Sequence, residues 1–173
     1  MERGLTHIYC GDGKGKTTAS VGLAVRAAGR GLRVVYVQFF KDGTSGEFQV
    51  LEELDNVRLL PPEKTFGFIW TLSEAERQEA AAFYTEHFRR AIALAQDADL
   101  LVLDEVISAC NCGAVPEEEV IRFLRSRPKG LEVVLTGREP SEALQAEADY
   151  VSEMCKRKHP FDQKICARQG IEF

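Results

Sequence analysis

Cys10-Gly11-Asp12-Gly13-Lys14-Gly15-Lys16-Thr17-Thr18 lies between a short apolar run, Ile8-Tyr9, and an alanine-rich stretch of helical pattern. A glycine-rich turn from strand to helix lets several backbone N–H groups converge on one anion, with the positive end of the helix behind them. Lys16 adds a point charge, and the Thr17 hydroxyl is of the kind that binds Mg²⁺ beside a phosphate. The stretch points to a polyphosphate, with a nucleoside triphosphate as the default ligand. It departs from G-x-x-x-x-G-K-[ST] because Cys10 stands where glycine is usual and Gly11 comes one place late. Asp12 also puts a carboxylate inside an anion-binding loop, where it repels phosphate unless it points at Lys14 or away. The competing reading is a glycine-rich turn with incidental lysines, and a second nucleotide-site element downstream weighs against it.

Outward from this stretch, strand and helix patterns alternate. Thr17 to Arg30 read as a helix closed by Gly29 and Gly31. Arg33 to Phe40 form a β-branched and aromatic strand, and Val57 to Leu60 a shorter one. Leu100 to Leu103 and Leu131 to Leu135 are continuous apolar runs, as strands buried on both faces require; Asp149 to Met154 add another. Ser73 and Glu76 make a capping box, after which Tyr84, Phe88, Ala91, Ile92 and Ala95 share one helical face. Pro116 and Glu117-Glu118-Glu119 open a further helix whose core face is Val120, Phe123 and Leu124. Strands separated by helices predict an α/β fold: one domain over residues 1–173, with a mostly parallel sheet and helices on both faces. Ligands of such sheets gather at the carboxyl ends of the strands, where the motifs here fall.

Composition narrows the function classes. The formal net charge of −5 and the lack of a basic run argue against nucleic acid as the main partner. No apolar segment approaches the roughly 20 residues of a membrane span, and no signal-peptide core precedes the first strand. The 173 residues contain five cysteines, an odd and scattered set that favours reduced thiols in a cytoplasmic setting over a disulfide framework. Cys110-Asn111-Cys112 is a single C-x-C pair, too little by itself to define a metal centre.

Asp104-Glu105 close the apolar strand LLVLD, at the mouth of the sheet. A carboxylate there holds Mg²⁺ directly or through water, polarises a water, or simply caps the next turn. Thr136-Gly137-Arg138 repeats the arrangement at another strand end; Arg138 is either a charge clamp on a polyphosphate or a surface ion-pair partner. Arg26, ten residues after Lys16, reaches back to the nucleotide or faces solvent. Phe66-Gly67-Phe68-Ile69-Trp70 crowds three aromatics into five residues after Pro61-Pro62, either as a core plug or as a lid over a flat organic ligand. No His/Asp or Cys/His arrangement stands out, and His7, His87 and His159 need no catalytic role.

Taken in order, CGDGKGKTTASVGLAVRAAGRG, VQFFKDG with SGE, GFIW, LLVLDE, LTGR and KHPFDQKICARQGIEF resemble the P-loop type of corrinoid adenosyltransferase, from about Ile8 to Phe173. The resemblance implies a RecA-like fold. It implies transfer of the 5′-deoxyadenosyl group of ATP to the Co(I) of a reduced corrinoid, with release of triphosphate. Gly11, Gly13, Lys14, Gly15, Lys16 and Thr17 then hold the triphosphate, with Arg26 as a further nucleotide contact; Asp12 and Thr18 of the same loop, and Arg138 from its strand end, complete the expected nucleotide set. The resemblance implies Thr17 and Glu105 on Mg²⁺ (or Mn²⁺), and Asp104 is expected beside them from its place at the strand end. Lys16 counts as catalytic with Phe68 and Trp70, which crowd the lower face of the corrin. A flavoprotein reductant and a homodimer are the family's expected partners. Asp12 replaces the usual asparagine, the run Val106 to Cys112 differs from the commoner pattern, and the chain starts almost at its first strand. Another element, or open solvent, is therefore expected to cover the corrinoid in place of an N-terminal extension. The alternatives are a P-loop ATPase or small-molecule kinase, or a non-catalytic ATP-dependent switch.

Overall fold

A computed structural model describes residues 2–41, 43–67 and 69–171. The strands are β1 (Thr6–Cys10), β2 (Val34–Gln38), β3 (Val57–Leu60), β4 (Leu100–Asp104), β5 (Glu132–Thr136) and β6 (Tyr150–Glu153). They form one sheet in the order β3-β2-β4-β5-β1-β6, and every neighbouring pair is parallel. The helices are α1 (Lys16–Ala28), α2 (Gly46–Glu52), α3 (Glu74–Leu94), α4 (Val106–Asn111), α5 (Glu117–Ser126) and α6 (Glu142–Ala146).

The apolar runs in β2, β4 and β5 serve two cores at once. Val35, Val37, Leu101, Leu103, Val133 and Leu135 face one way, toward Tyr84 and Phe88 of α3 and Phe123 of α5. Val34, Tyr36, Leu100, Val102 and Val134 face the other, toward Ala24 and Ala27 of α1 and Leu51 of α2. A strand covered on both faces needs no polar alternation, which is why these segments read as unbroken hydrophobic runs. The Ser73 capping box forms as expected: Glu76 Oε2 accepts from Ser73 N at 2.8 Å, and Ser73 Oγ accepts from Glu76 N at 3.4 Å. Among the described residues, no helix is long and apolar enough to cross a membrane.

Sheet order fixes the site. β5 lies between β1 and β4, so Thr136 at its carboxyl end stands opposite Tyr9 of β1, one strand away from Asp104 of β4. Gln38 at the end of β2 is in register with Asp104. The carboxyl ends of β1, β5, β4 and β2 therefore form one row of polar groups along the top of the sheet.

Candidate functional site

The phosphate loop is held from beneath by the chain that follows β6. Gly13 N–H donates to Met154 O at 2.6 Å, and a Cβ at Gly13 would lie 2.6 Å from that same oxygen. Gly11 has φ 101°, a left-handed conformation that glycine adopts without penalty. Cys10, in the place where glycine was expected, is instead the buried last residue of β1, and Gly11 makes the turn. Asp12 does not face the phosphate position. It accepts from Lys156 N–H at 2.8 Å, and that bond holds its carboxyl below the usual carboxylate range. The repulsion expected from its charge is thus relieved by orientation.

Lys16 Nζ donates to Gly11 O and Gly13 O, each at 2.8 Å. Its side chain is buried, and burial pulls the ammonium down from its ordinary value while Glu105 opposes the shift. Lys14 Nζ donates to Ile171 O at 2.7 Å. Both loop cations are thus occupied by backbone carbonyls that phosphate oxygens can replace.

Asp104 is fully buried at the carboxyl end of β4. Its Oδ1 accepts from Thr17 Oγ1 at 2.9 Å and Thr136 Oγ1 at 2.7 Å, and its Oδ2 from Lys41 Nζ at 2.8 Å. Lys41 Nζ also reaches Thr17 Oγ1 at 3.2 Å. Thr17 and Asp104 thus already turn their oxygens toward a single cation, Lys41. Divalent Mg²⁺ takes oxygen donors of this kind, so the donor set fits such an ion. Glu105, next in sequence, has φ 67°, accepts from Ser108 Oγ at 2.6 Å and lines the cleft. Left-handed backbone at a non-glycine residue is strained and recurs where function demands it. Lys41 was not singled out from the sequence; its position three residues beyond the end of β2 was the signal that could have found it.

Above the loop opens a cleft of about 1010 Å³. Gly13 to Thr18 line one end; Phe40, Phe66, Ile69, Trp70 and Tyr84 line the apolar wall. Phe40 packs edge-on against Tyr84 at 4.8 Å, and Phe66 sits 5.8 Å from the same ring. The two readings of the aromatic segment divide between residues. Phe66 is half-buried against the core, whereas Trp70 is 75% exposed on the rim. Phe68 lies outside the described residues.

The two arginines do not join this cleft. Arg26 is exposed in the last turn of α1, which over ten residues carries it about 15 Å along the helix from Lys16. Arg138 is exposed on the other side of the loop, where it lines a depression of about 540 Å³ with Gly11 and Asp12. Burial pushes the Cys110 thiol up to about 12, opposing the thiolate that a soft metal needs. Among the described residues, no group of three or more histidine, cysteine or acidic side chains is gathered to hold a metal.

A parallel sheet with a phosphate loop after β1 and a buried aspartate at the end of β4, with β5 between them, defines a P-loop nucleotide-binding protein of the RecA-like arrangement. Solved structures agree on the fold. The EssC protein of Geobacillus thermodenitrificans (ATPases 2 and 3) superposes with TM-score 0.53 at 16% identity, over 96% of this chain and 35% of that one. EccC of Thermomonospora curvata (ATPases 2 and 3) does so with 0.54 at 20% identity, over 93% and 32%. A family model described as ATP:corrinoid adenosyltransferase BtuR/CobO/CobP matches residues 2–173. Corrinoid adenosyltransferases of Escherichia coli strain K12 and Salmonella typhimurium strain LT2 are 37% and 38% identical, over 99% of this chain and 87% of theirs. That of Pseudomonas aeruginosa is 32% identical, over 99% and 85%. The chain belongs to the ATP:corrinoid adenosyltransferase family and is an enzyme with ATP and a corrinoid as its substrates.

Proposed function

We propose that residues 1–173 act as a single domain in which a reduced corrinoid attacks ATP at its sugar rather than at its phosphates. The Co(I) electron pair becomes the new bond to C5′, the bond from C5′ to the triphosphate oxygen breaks, and triphosphate leaves with the pair of that broken C–O bond. The observation that carries this reading is the composition of one cleft: phosphate-binding loop at one end, aromatic wall at the other. Phosphoryl transfer has no use for a broad apolar wall of this kind, whereas a flat macrocycle does.

Cobalt(I) is a strong nucleophile, so little acid–base machinery is needed. What remains is to hold C5′ in line and to neutralise the leaving group. Lys14 and Lys16 do the latter by exchanging their backbone acceptors for triphosphate oxygens. Thr17, Asp104 and Glu105 would hold Mg²⁺ (or Mn²⁺), which supplies further positive charge to the triphosphate. Trp70, with Phe68, crowds the lower face of the corrin and keeps water and axial ligands away from the metal; the exposure of Trp70 on the cleft rim supports this. The proposal includes a flavoprotein electron donor, homodimer assembly and a cytoplasmic setting.

The test is incubation with ATP, Mg²⁺, a corrinoid and a strong chemical reductant. A light-sensitive cobalt–carbon product and free inorganic triphosphate are expected in equal amounts. ADP as the product would reject the reading in favour of a kinase or ATPase.

A further inference from the structure

Lys41 stands where a divalent ion bridging Thr17 and Asp104 would stand. Its ammonium is 2.8 Å from Asp104 Oδ2 and 3.2 Å from Thr17 Oγ1, with Glu47 Oε1 4.0 Å away on its other side. We propose that Lys41 is an internal counter-cation of the metal pocket: it neutralises Asp104 while the site is empty, yields to the divalent ion that enters with ATP, and then turns to the triphosphate.

The local structure supports each part. Asp104 is fully buried, and a buried carboxylate left without a cation is strongly destabilising. Its other two partners, Thr17 and Thr136, are neutral hydroxyls, so Lys41 is the positive charge paired with it among the described residues. Phe40 has φ 61°, a costly conformation for an aromatic residue, and it turns the chain where β2 ends. The strained turn packs the Phe40 ring against Tyr84 while Lys41 comes back over the sheet to Asp104. The Lys41 side chain is one-third exposed and lines the cleft, so it has room to leave. Among the described residues Glu47 is an anion within its reach afterwards, and an incoming triphosphate is another.

A consequence is coupling. Without nucleotide, a free divalent ion must displace Lys41 from Asp104, the acid with which its ammonium makes its shortest ion pair among the described residues. With ATP, the triphosphate supplies both ligands for the ion and a new partner for the lysine. Metal and nucleotide therefore load together.

This inference rests on the proposed metal role of Thr17 and Asp104, and its test separates the two. Mn²⁺ binding to the full chain is followed by electron paramagnetic resonance, with and without ATP. Without nucleotide, Lys41→Met is expected to bind Mn²⁺ roughly ten- to a hundredfold more tightly than wild type, since no charge-assisted bond has to be broken. Adding Asp104→Asn to that variant should remove the gain. Equal or weaker Mn²⁺ binding by a Lys41→Met protein of native circular dichroism overturns the proposal. Should Lys41→Met not fold, Lys41→Arg decides: its guanidinium holds Asp104 more firmly and must weaken Mn²⁺ binding, and unchanged binding overturns the proposal equally. If instead Thr17→Ala leaves Mn²⁺ binding to the ATP-loaded wild-type background unchanged, the metal reading itself has failed.

Discussion

Lys16 bonds within its own loop, to Gly11 O and Gly13 O. Lys16→Ala should therefore weaken ATP binding by about 1.5–3 kcal/mol, the range for a hydrogen bond to a charged group. Titration calorimetry checks this, and unchanged affinity would contradict the placement of the triphosphate. Gly13→Ala tests the loop from the other side. A methyl group 2.6 Å from Met154 O has to push the loop off the chain after β6, costing roughly 1–3 kcal/mol of stability in denaturant titrations. Residue types were legible in the sequence, but their partners were not. The loop, Thr17 and Asp104 announce themselves through spacing. That Asp12 is turned away depends on Lys156, 144 residues distant, and no local pattern carries that information. Lys41 was missed for the same reason: its meaning comes from the pairing of β2 with β4.

The carboxyl end of β2 links helix α3 to the site. Gln38 is fully buried; its carbonyl accepts from His87 Nε2–H at 3.0 Å, and its amide donates to Ser45 Oγ at 3.1 Å. His87 Nδ1 has no hydrogen-bond partner among the described residues, which fits a neutral ring with its proton on Nε2. Burial holds the His87 pKa below its ordinary 6.5, so the unfolded chain takes up the proton first as the pH falls. Its contribution is present above about pH 6.5 and is lost below that value, with a slope of at most about 1.4 kcal/mol per pH unit. His87→Gln keeps a donor for Gln38 O without the titration. Urea denaturation between pH 7 and 5 should show a shallower acid limb for this variant than for wild type; parallel limbs would sink the assignment. Elements such as α3, with its capping box and a face running from Tyr84 to Ala95, were readable because the pattern persists over several turns. The strands were readable from their apolar runs, within a residue or two at each end. Helices α2, α4 and α6 span 7, 6 and 5 residues, too short for a helical period to emerge from sequence. Tertiary packing holds them: α2 lies on the edge strand β3, α4 on the central strand β5 and α6 on α5.

The whole molecule combines a common nucleotide-binding frame with an uncommon wall. The ATPases EssC and EccC share the frame at 20% identity or less, so the fold by itself does not choose between phosphoryl and adenosyl transfer. The choice lies in how two layers of the molecule meet: β1 and α1 supply the phosphate loop, while the turn after β2, the segment ending at Thr71 and α3 supply the aromatic wall. Because these parts are separate, their functions should separate on mutation. Trp70→Ala removes a ring that is already 75% exposed, so folding should be undisturbed. It should leave ATP affinity within twofold of wild type, roughly the ±0.5 kcal/mol typical of a surface change. Corrinoid affinity should fall roughly ten- to a hundredfold, the loss of an apolar side chain worth about 1.5–3 kcal/mol of burial. Calorimetry with ATP and absorbance titration with the corrinoid measure the two independently. A kinase or ATPase using the same loop differs on the corrinoid side alone, with phosphate release unaffected by Trp70 and no corrinoid binding to lose. Loss of both affinities together would mean that the loop and the wall form one cooperative unit, and the division of labour argued from their separate origins in the fold would be wrong.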